Sequence, residues 1–316
     1  MRTTGFPFVV AALLSAAAFS FAQTPASDTK ADAAGVLAAA RTALGGDAKL
    51  SAVKTIVATG RTRQVRGDNL VPIEFDISVE LPDKYVRKDE VPAQESGPTT
   101  VGFSGEQLVQ IPTPQAQPGR AGGPPPPTPE QVELANRVRI VGVKQDFARL
   151  MLGVFAGSFS SYPLTFTYIG QAEAPQGMAD VLEAKGAPNL TMRLFVYRDT
   201  HLPVMVTWQG GGPGPGRGPG PGAGSGVAPG PVPQRGDAPP QRGADAPPAP
   251  GGAAARGPVP PPPENRLYFA DYRDVDGLKF PFRLRRALGP DTTEETTFDR
   301  FRINAKIDPK KFEVCR

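Results

Sequence analysis

His201 is the only histidine and Cys315 the only cysteine in the 316 residues. The side chains that most often serve as general base, nucleophile or soft metal ligand therefore occur once each. A single histidine builds no histidine-cluster metal site, and it leaves His201 alone to support Ser/His or Cys/His catalysis. His201 follows Arg198-Asp199-Thr200 and precedes Leu202-Pro203, the setting of a polar residue at a hairpin tip. Cys315 is penultimate, a bystander that excludes an intramolecular disulfide. Asp271, Asp274 and Asp276 resemble a carboxylate cluster, but a calcium loop aligned on Gly277 needs acidic residues at 272 and 283, where Tyr272 and Arg283 stand. A solvated hairpin end suits these aspartates better, and Glu294-Glu295 reads as an exposed turn. The Gly-rich run 210–226 has no Lys-Ser/Thr ending, so it is no phosphate loop. No covalent, acid–base or metal chemistry is expected, no cofactor, and no enzyme.

The elements must then position a surface rather than a reaction centre. Leu278, Phe280, Phe282 and Leu284 alternate with Lys279, Pro281, Arg283 and Arg285, the period of a half-buried strand. Asp276-Gly277 before them is a two-residue hairpin signal. A strand at 267–272 precedes that turn, and one at 297–304 follows. Upstream, Val71, Ile73, Phe75, Ile77, Val79 and Leu81 alternate with acidic and polar residues, one face apolar and one wet. Further strands are read at 55–65, 84–91, 99–111 (a pair turning at Ser104-Gly105-Glu106), 164–168, 177–184, 190–197 and 202–208. A helix spans about 32–44, ended by Gly45-Gly46. Thr128-Pro129-Glu130-Gln131 announces another, with Thr128 as N-cap and Gln131 closing a capping box. Val132, Ala135 and Val138 continue one face and Gly142 is a possible break. Phe147, Leu150, Met151, Val154 and Phe155 then form an i, i+3, i+4, i+7, i+8 stripe.

Two regions lie outside this pattern. Residues 1–22, with Arg2, an apolar run at 6–18 and Ser20-Phe21-Ala22, read as a secretory signal peptide cleaved after Ala22. No cysteine lies near the cleavage site, so no lipid anchor is expected. Residues 112–127 are a Pro/Gly loop. Residues 210–263 are a Pro/Gly/Ala-rich insertion with almost no apolar side chains, expected to be disordered. They separate two strands that would otherwise form a hairpin, at a closure cost of only about 2 kcal/mol. A single domain at 23–316, interrupted by both loops, is therefore expected. The net charge is +4. Arg2 carries one of those charges, and Arg217, Arg235, Arg242 and Arg256 against Asp237 and Asp245 carry two more. The folded part is close to neutral, so no nucleic-acid partner is expected.

An apolar sheet face under an amphipathic helix is either a packed core or a cavity for acyl chains, and the pattern alone favours the core. Here the chain resembles the periplasmic lipoprotein-carrier superfamily, the LolA/LolB-like fold. Leu50-Ser51-Ala52-Val53-Lys54, Glu80-Leu81-Pro82-Asp83-Lys84-Tyr85, the stretch from Gly102 to Leu108, Leu150-Met151-Leu152, Ile303-Asn304, Ile307-Asp308 and Lys311-Phe312 carry the resemblance. The basic residue that the carrier has before the turn proline is Leu81 here, and the long insertion has no counterpart. The resemblance implies an α+β fold, a curved antiparallel open half-barrel of about ten or eleven strands with a helical lid. It implies a periplasmic, soluble, monomeric protein of outer-membrane biogenesis that binds lipid or lipoprotein acyl chains and exchanges them with membrane donor and acceptor proteins. The candidate lining is Phe75, Ile77, Val79, Phe103, Leu150, Met151, Phe155, Phe166, Val196, Val206, Trp208, Phe280 and Phe282. The competing expectation is a periplasmic interaction or scaffold protein with a solid core, working through its Pro-rich arm.

Overall fold

The computed structural model describes residues 32–67, 69–92, 97–112, 127–210 and 263–313. The segment read as a signal peptide, Cys315 and nearly all of both Pro/Gly loops lie outside them. Helices α1 (Ala33–Ala43) and α2 (Asp47–Ala52) precede five strands: β1 (Thr55–Arg66), β2 (Asn69–Glu80), β3 (Lys84–Glu90), β4 (Thr99–Ser104) and β5 (Gln107–Ile111). Helix α3 (Pro129–Phe155) follows. Seven strands complete the sheet: β6 (Thr165–Ala174), β7 (Gly177–Gly186), β8 (Leu190–Tyr197), β9 (Pro203–Trp208), β10 (Asn265–Val275), β11 (Leu278–Leu288) and β12 (Asp291–Ile303). A short 3-10 helix, Pro309–Phe312, ends the described chain.

All twelve strands form one sheet in the order β5-β4-β3-β2-β1-β12-β11-β10-β9-β8-β7-β6. Twelve strands form where about ten or eleven were expected, and the two halves of 99–111 pair as read from that stretch. Every connection between consecutive strands joins neighbours except one. The exception is the link from β5 to β6, the two outer edges, and α3 is part of it. That helix touches β4 and β5 on one side and β9 and β11 on the other. β4 and β9 are seven places apart in the sheet order, which at ~4.8 Å per strand would be about 34 Å if the sheet were flat. A helix about 10–12 Å across reaches both only because the sheet curls around it. Among the described residues the sheet stays open, with β5 and β6 at its edges, and α3 lies in its concavity as the expected half-barrel and lid require.

Local sequence explains the parts. Asp276 and Gly277 take positive φ of 54° and 78°, the pair of left-handed residues that a tight hairpin between twisted strands needs. The Asp274 carboxylate accepts from the Gly277 amide at 2.9 Å, so the aspartates do turn chemistry. His201 sits exposed at the β8–β9 tip. In β2, Ile73, Phe75, Ile77 and Val79 are buried, as their alternation requires. The capping box forms, with Thr128 Oγ1 accepting from the Gln131 amide and the Gln131 side chain accepting from the Thr128 amide. On the outer face, Phe312 packs with Val86 and Val109.

Two features of α3 depart from the reading of the sequence. Gly142 does not break the helix, because its cost of about 1 kcal/mol is outweighed by the packing of the residues after it. Val132 and Val138 do not continue the buried face; with Leu134 they are 44–68% exposed. A helix of 27 residues is about 40 Å long, and its first turns project past the sheet. Its second half is seated closely: a Cβ on Gly153 would stand 2.1 Å from Phe269 Cε1. Alanine is the better helix former, yet Gly153→Ala is expected to cost about 1–3 kcal/mol by overpacking. A denaturant titration that found the variant more stable would mean that α3 is not held against β10.

Candidate functional site

The site is the seam between α3 and the concave sheet face. Phe147 lies at its centre, 1% exposed, with ring centroids 5.4 Å from Tyr85 and 5.3 Å from Phe103. Phe155 packs edge-on to Phe159, which also touches Phe147. A second aromatic group joins Phe75, Phe298, Phe301, Phe280 and Phe282 across β2, β12 and β11. Tyr272 reaches the helix end, its hydroxyl 2.8 Å from the Gly153 carbonyl and 2.9 Å from that of Pro203.

Two small cavities adjoin along this seam and share Ile77, Leu150 and Phe298 in their walls. Each has a volume of about 20 Å³, room for about one water molecule. One is walled by apolar groups, among them Val79, Met151, Val154, Phe280 and Phe301. The other meets Tyr85, Arg87, Asp146, Arg286, Glu294 and Thr296.

Of the expected lining, Ile77, Val79, Leu150, Met151 and Phe280 bound a cavity. Phe75, Phe103, Phe155, Val196, Val206, Trp208 and Phe282 are buried but line neither. Phe166, on edge strand β6, is half-buried and lines neither.

A chain of polar groups that was not expected from the sequence crosses this interior. Arg87 donates to Asp89 at 2.7 Å and to Thr62 at 3.1 Å. Thr62 and Thr296 share a hydrogen bond of 2.8 Å, and Thr296 donates to Glu294 at 3.2 Å. Arg286 lies 3.9 Å from Glu294 and 3.8 Å from Asp146. Asp146 accepts from Arg149 at 2.7 Å, and that guanidinium lies 4.3 Å from the centre of Trp208. Arg87, Asp89, Asp146 and Arg149 are all buried. The expectation that Glu294 sits in an exposed turn is overturned: it lies inside β12, its side chain 13% exposed.

Burial is costly for these charges. It pushes the Asp146 carboxyl up against the opposing pull of Arg286 and Arg149, and the Asp89 carboxyl up against Arg87. Burial likewise draws Arg149 below the ordinary arginine value against the pull of Asp146. Arg87 is different: burial would lower it, but Asp89 and then Glu294 hold it higher. Asp146 Oδ2, Arg149 Nε and Trp208 Nε1 are buried without a hydrogen-bond partner among the described residues.

A signal for this chain does exist in the sequence. Arg286 continues the alternation of Phe280, Phe282 and Leu284, Arg87 and Asp89 that of Tyr85, and Glu294 and Thr296 that of Phe298. Each polar residue sits at an inward register.

No known protein family matches the sequence, and no curated protein does. Solved structures are similar in architecture. A LolA superfamily protein from Nitrosomonas europaea aligns over 90% of this chain and 98% of its own, at 10% identity and a TM-score of 0.47. An outer membrane lipoprotein-sorting protein domain from Vibrio parahaemolyticus aligns over 82% and 88%, at 8% identity and 0.39. A DUF1329 family protein from Desulfovibrio piger aligns over 89% and 97%, also at 8% and 0.39. No described helix is long and apolar enough to cross a membrane.

Proposed function

We propose that this protein binds the acyl chains of a lipid or lipoprotein between α3 and the concave sheet face, by non-covalent capture rather than catalysis, in the periplasm. The observation that carries this reading is the placement of α3. It lies on the link between the two edges of an open sheet and covers an apolar concavity, with two adjoining cavities meeting at Leu150. Displacement of α3 enlarges both, and each buried methylene then supplies ~0.8 kcal/mol. Release requires the same movement, so transfer needs an acceptor that binds the chain better.

The test is mass spectrometry of residues 23–316 purified from a periplasm without detergent, comparing native and denatured spectra. A near-stoichiometric acylated species is expected, lost in a folded Leu150→Glu variant. A clean apo mass with no uptake of added lipopeptide or fatty ester would overturn the proposal. The small cavity volume favours one other reading, a solid-core interaction protein acting through the Pro-rich arm at 210–263. Deleting 210–263 separates the two: acyl capture survives it, whereas capture of a partner by the arm does not.

A further inference from the structure

The two cavities differ in chemistry although they share three wall residues. One is apolar and the other carries two arginines, two carboxylates and a threonine, so the seam offers a tail end and a head end. Resting on the acyl-binding reading, we propose that the head end recognises an uncharged ester or amide carbonyl next to the acyl chain, and that Arg286 is the donor that selects it.

Arg286 is set apart from its neighbours. Arg87 and Arg149 each donate hydrogen bonds within the protein. Arg286 stands 3.8 Å from Asp146 and 3.9 Å from Glu294, within ion-pair range but beyond hydrogen-bond range. Among the described residues its guanidinium donates no side-chain hydrogen bond. Five N–H donors in a fixed fork therefore border the polar cavity with carboxylates beside them but no bonded acceptor. Along the same polar chain Arg149 Nε and Trp208 Nε1 are further donors without a partner among the described residues, beside one acceptor in the same state, Asp146 Oδ2. An incoming oxygen acceptor satisfies donors that a bare hydrocarbon leaves empty.

Charge decides which oxygen. Arg87, Arg149 and Arg286 are balanced by Asp89, Asp146 and Glu294, so the chain of groups is already neutral. A free carboxylate or phosphate would add an uncompensated negative charge to a mostly buried network, which is costly. A carbonyl brings the acceptor without the charge. An acyl chain in ester or amide linkage presents this group, and a free fatty acid at neutral pH does not.

Trp208 is the only tryptophan in the chain and lies against Arg149, so its emission reports on this seam. Residues 23–316 would be titrated at pH 7.5 with methyl palmitate, palmitate and hexadecane, following Trp208 emission and displacement of an apolar dye. Methyl palmitate is expected to bind about ten-fold or more tightly than either, the worth of one hydrogen bond to a charged group. Arg286→Met is expected to bring the ester down to the level of hexadecane while the hydrocarbon still binds. Should Arg286→Met fail to fold, Arg286→Lys keeps the charge and loses the fork, and is expected to forfeit most of the ester preference. Equal binding of ester and hexadecane, tightest binding of palmitate, or an ester preference intact in the folded Arg286 variant would each overturn this proposal and leave the acyl site standing. Failure of all three probes to bind would overturn the acyl-binding reading itself.

Discussion

Asp146→Ala is expected to destabilise the fold by about 3–5 kcal/mol, because it leaves a buried guanidinium without its partner. Arg149 is 3% exposed and its one side-chain hydrogen bond goes to Asp146. Arg286 loses one of its two carboxylates as well. A urea titration at pH 7 reads the loss directly. The double variant Asp146→Leu/Arg149→Met removes both charges of the closer pair and is expected to recover most of it, since an apolar pair of similar volume often equals a buried ion pair. A loss below about 1 kcal/mol in the single variant would show that α3 does not depend on this contact. The same carboxyl carries a pH signature. Burial raises the folded-state pKa of Asp146 and of Asp89 above the usual 3.8, so each proton is held more tightly in the folded chain. Their contribution to stability is therefore complete below pH 3.8 and is lost as pH rises through the higher folded values. The difference in stability between wild type and Asp146→Asn should fall as pH is raised from about 3.8 through that window. A difference flat in pH would contradict the burial of the carboxyl.

Phe147→Ala is the second large effect, expected at about 3–5 kcal/mol for an aromatic side chain removed from a filled site. Its ring is held by Tyr85, Phe103 and Phe159, on two strands and the segment after α3. Those partners come from different elements, so the site collapses poorly. The cavity left behind also adjoins the acyl seam. The variant should take up methyl palmitate more readily than wild type at a temperature where both are folded. Calorimetric melting together with dye displacement checks both halves. A melting temperature within a degree or two of wild type would mean that the aromatic cluster contributes little.

Much of this was legible in the chain itself. The alternation in β2 and β11, the Asp276-Gly277 turn, the Thr128–Gln131 capping box and the glycine end of α1 are local codes, each written within a few residues. The stripe Phe147, Leu150, Met151, Val154 and Phe155 likewise announced the buried half of α3. The projecting first half was not legible. Whether Val132 and Val138 meet a partner depends on how far the sheet extends, and no local pattern states that.

Which strands are neighbours was also decided elsewhere. The pairing of β1 with β12 joins residues more than 200 positions apart, and α3 lies in the concavity because its connection runs from one sheet edge to the other. The polar chain from Asp89 to Arg149 exists only after that pairing, since it draws on β1, β3, β11, β12 and α3. Each strand member occupies an inward register that alternation could have flagged, yet which charge meets which, and that Arg286 meets no carboxylate at hydrogen-bond distance, follows from curvature. The strands, turns, caps and apolar face were readable because they depend on residues close along the chain. Tertiary structure alone decided that the apolar face encloses a nearly filled seam with a polar end, because that depends on how closely distant segments approach.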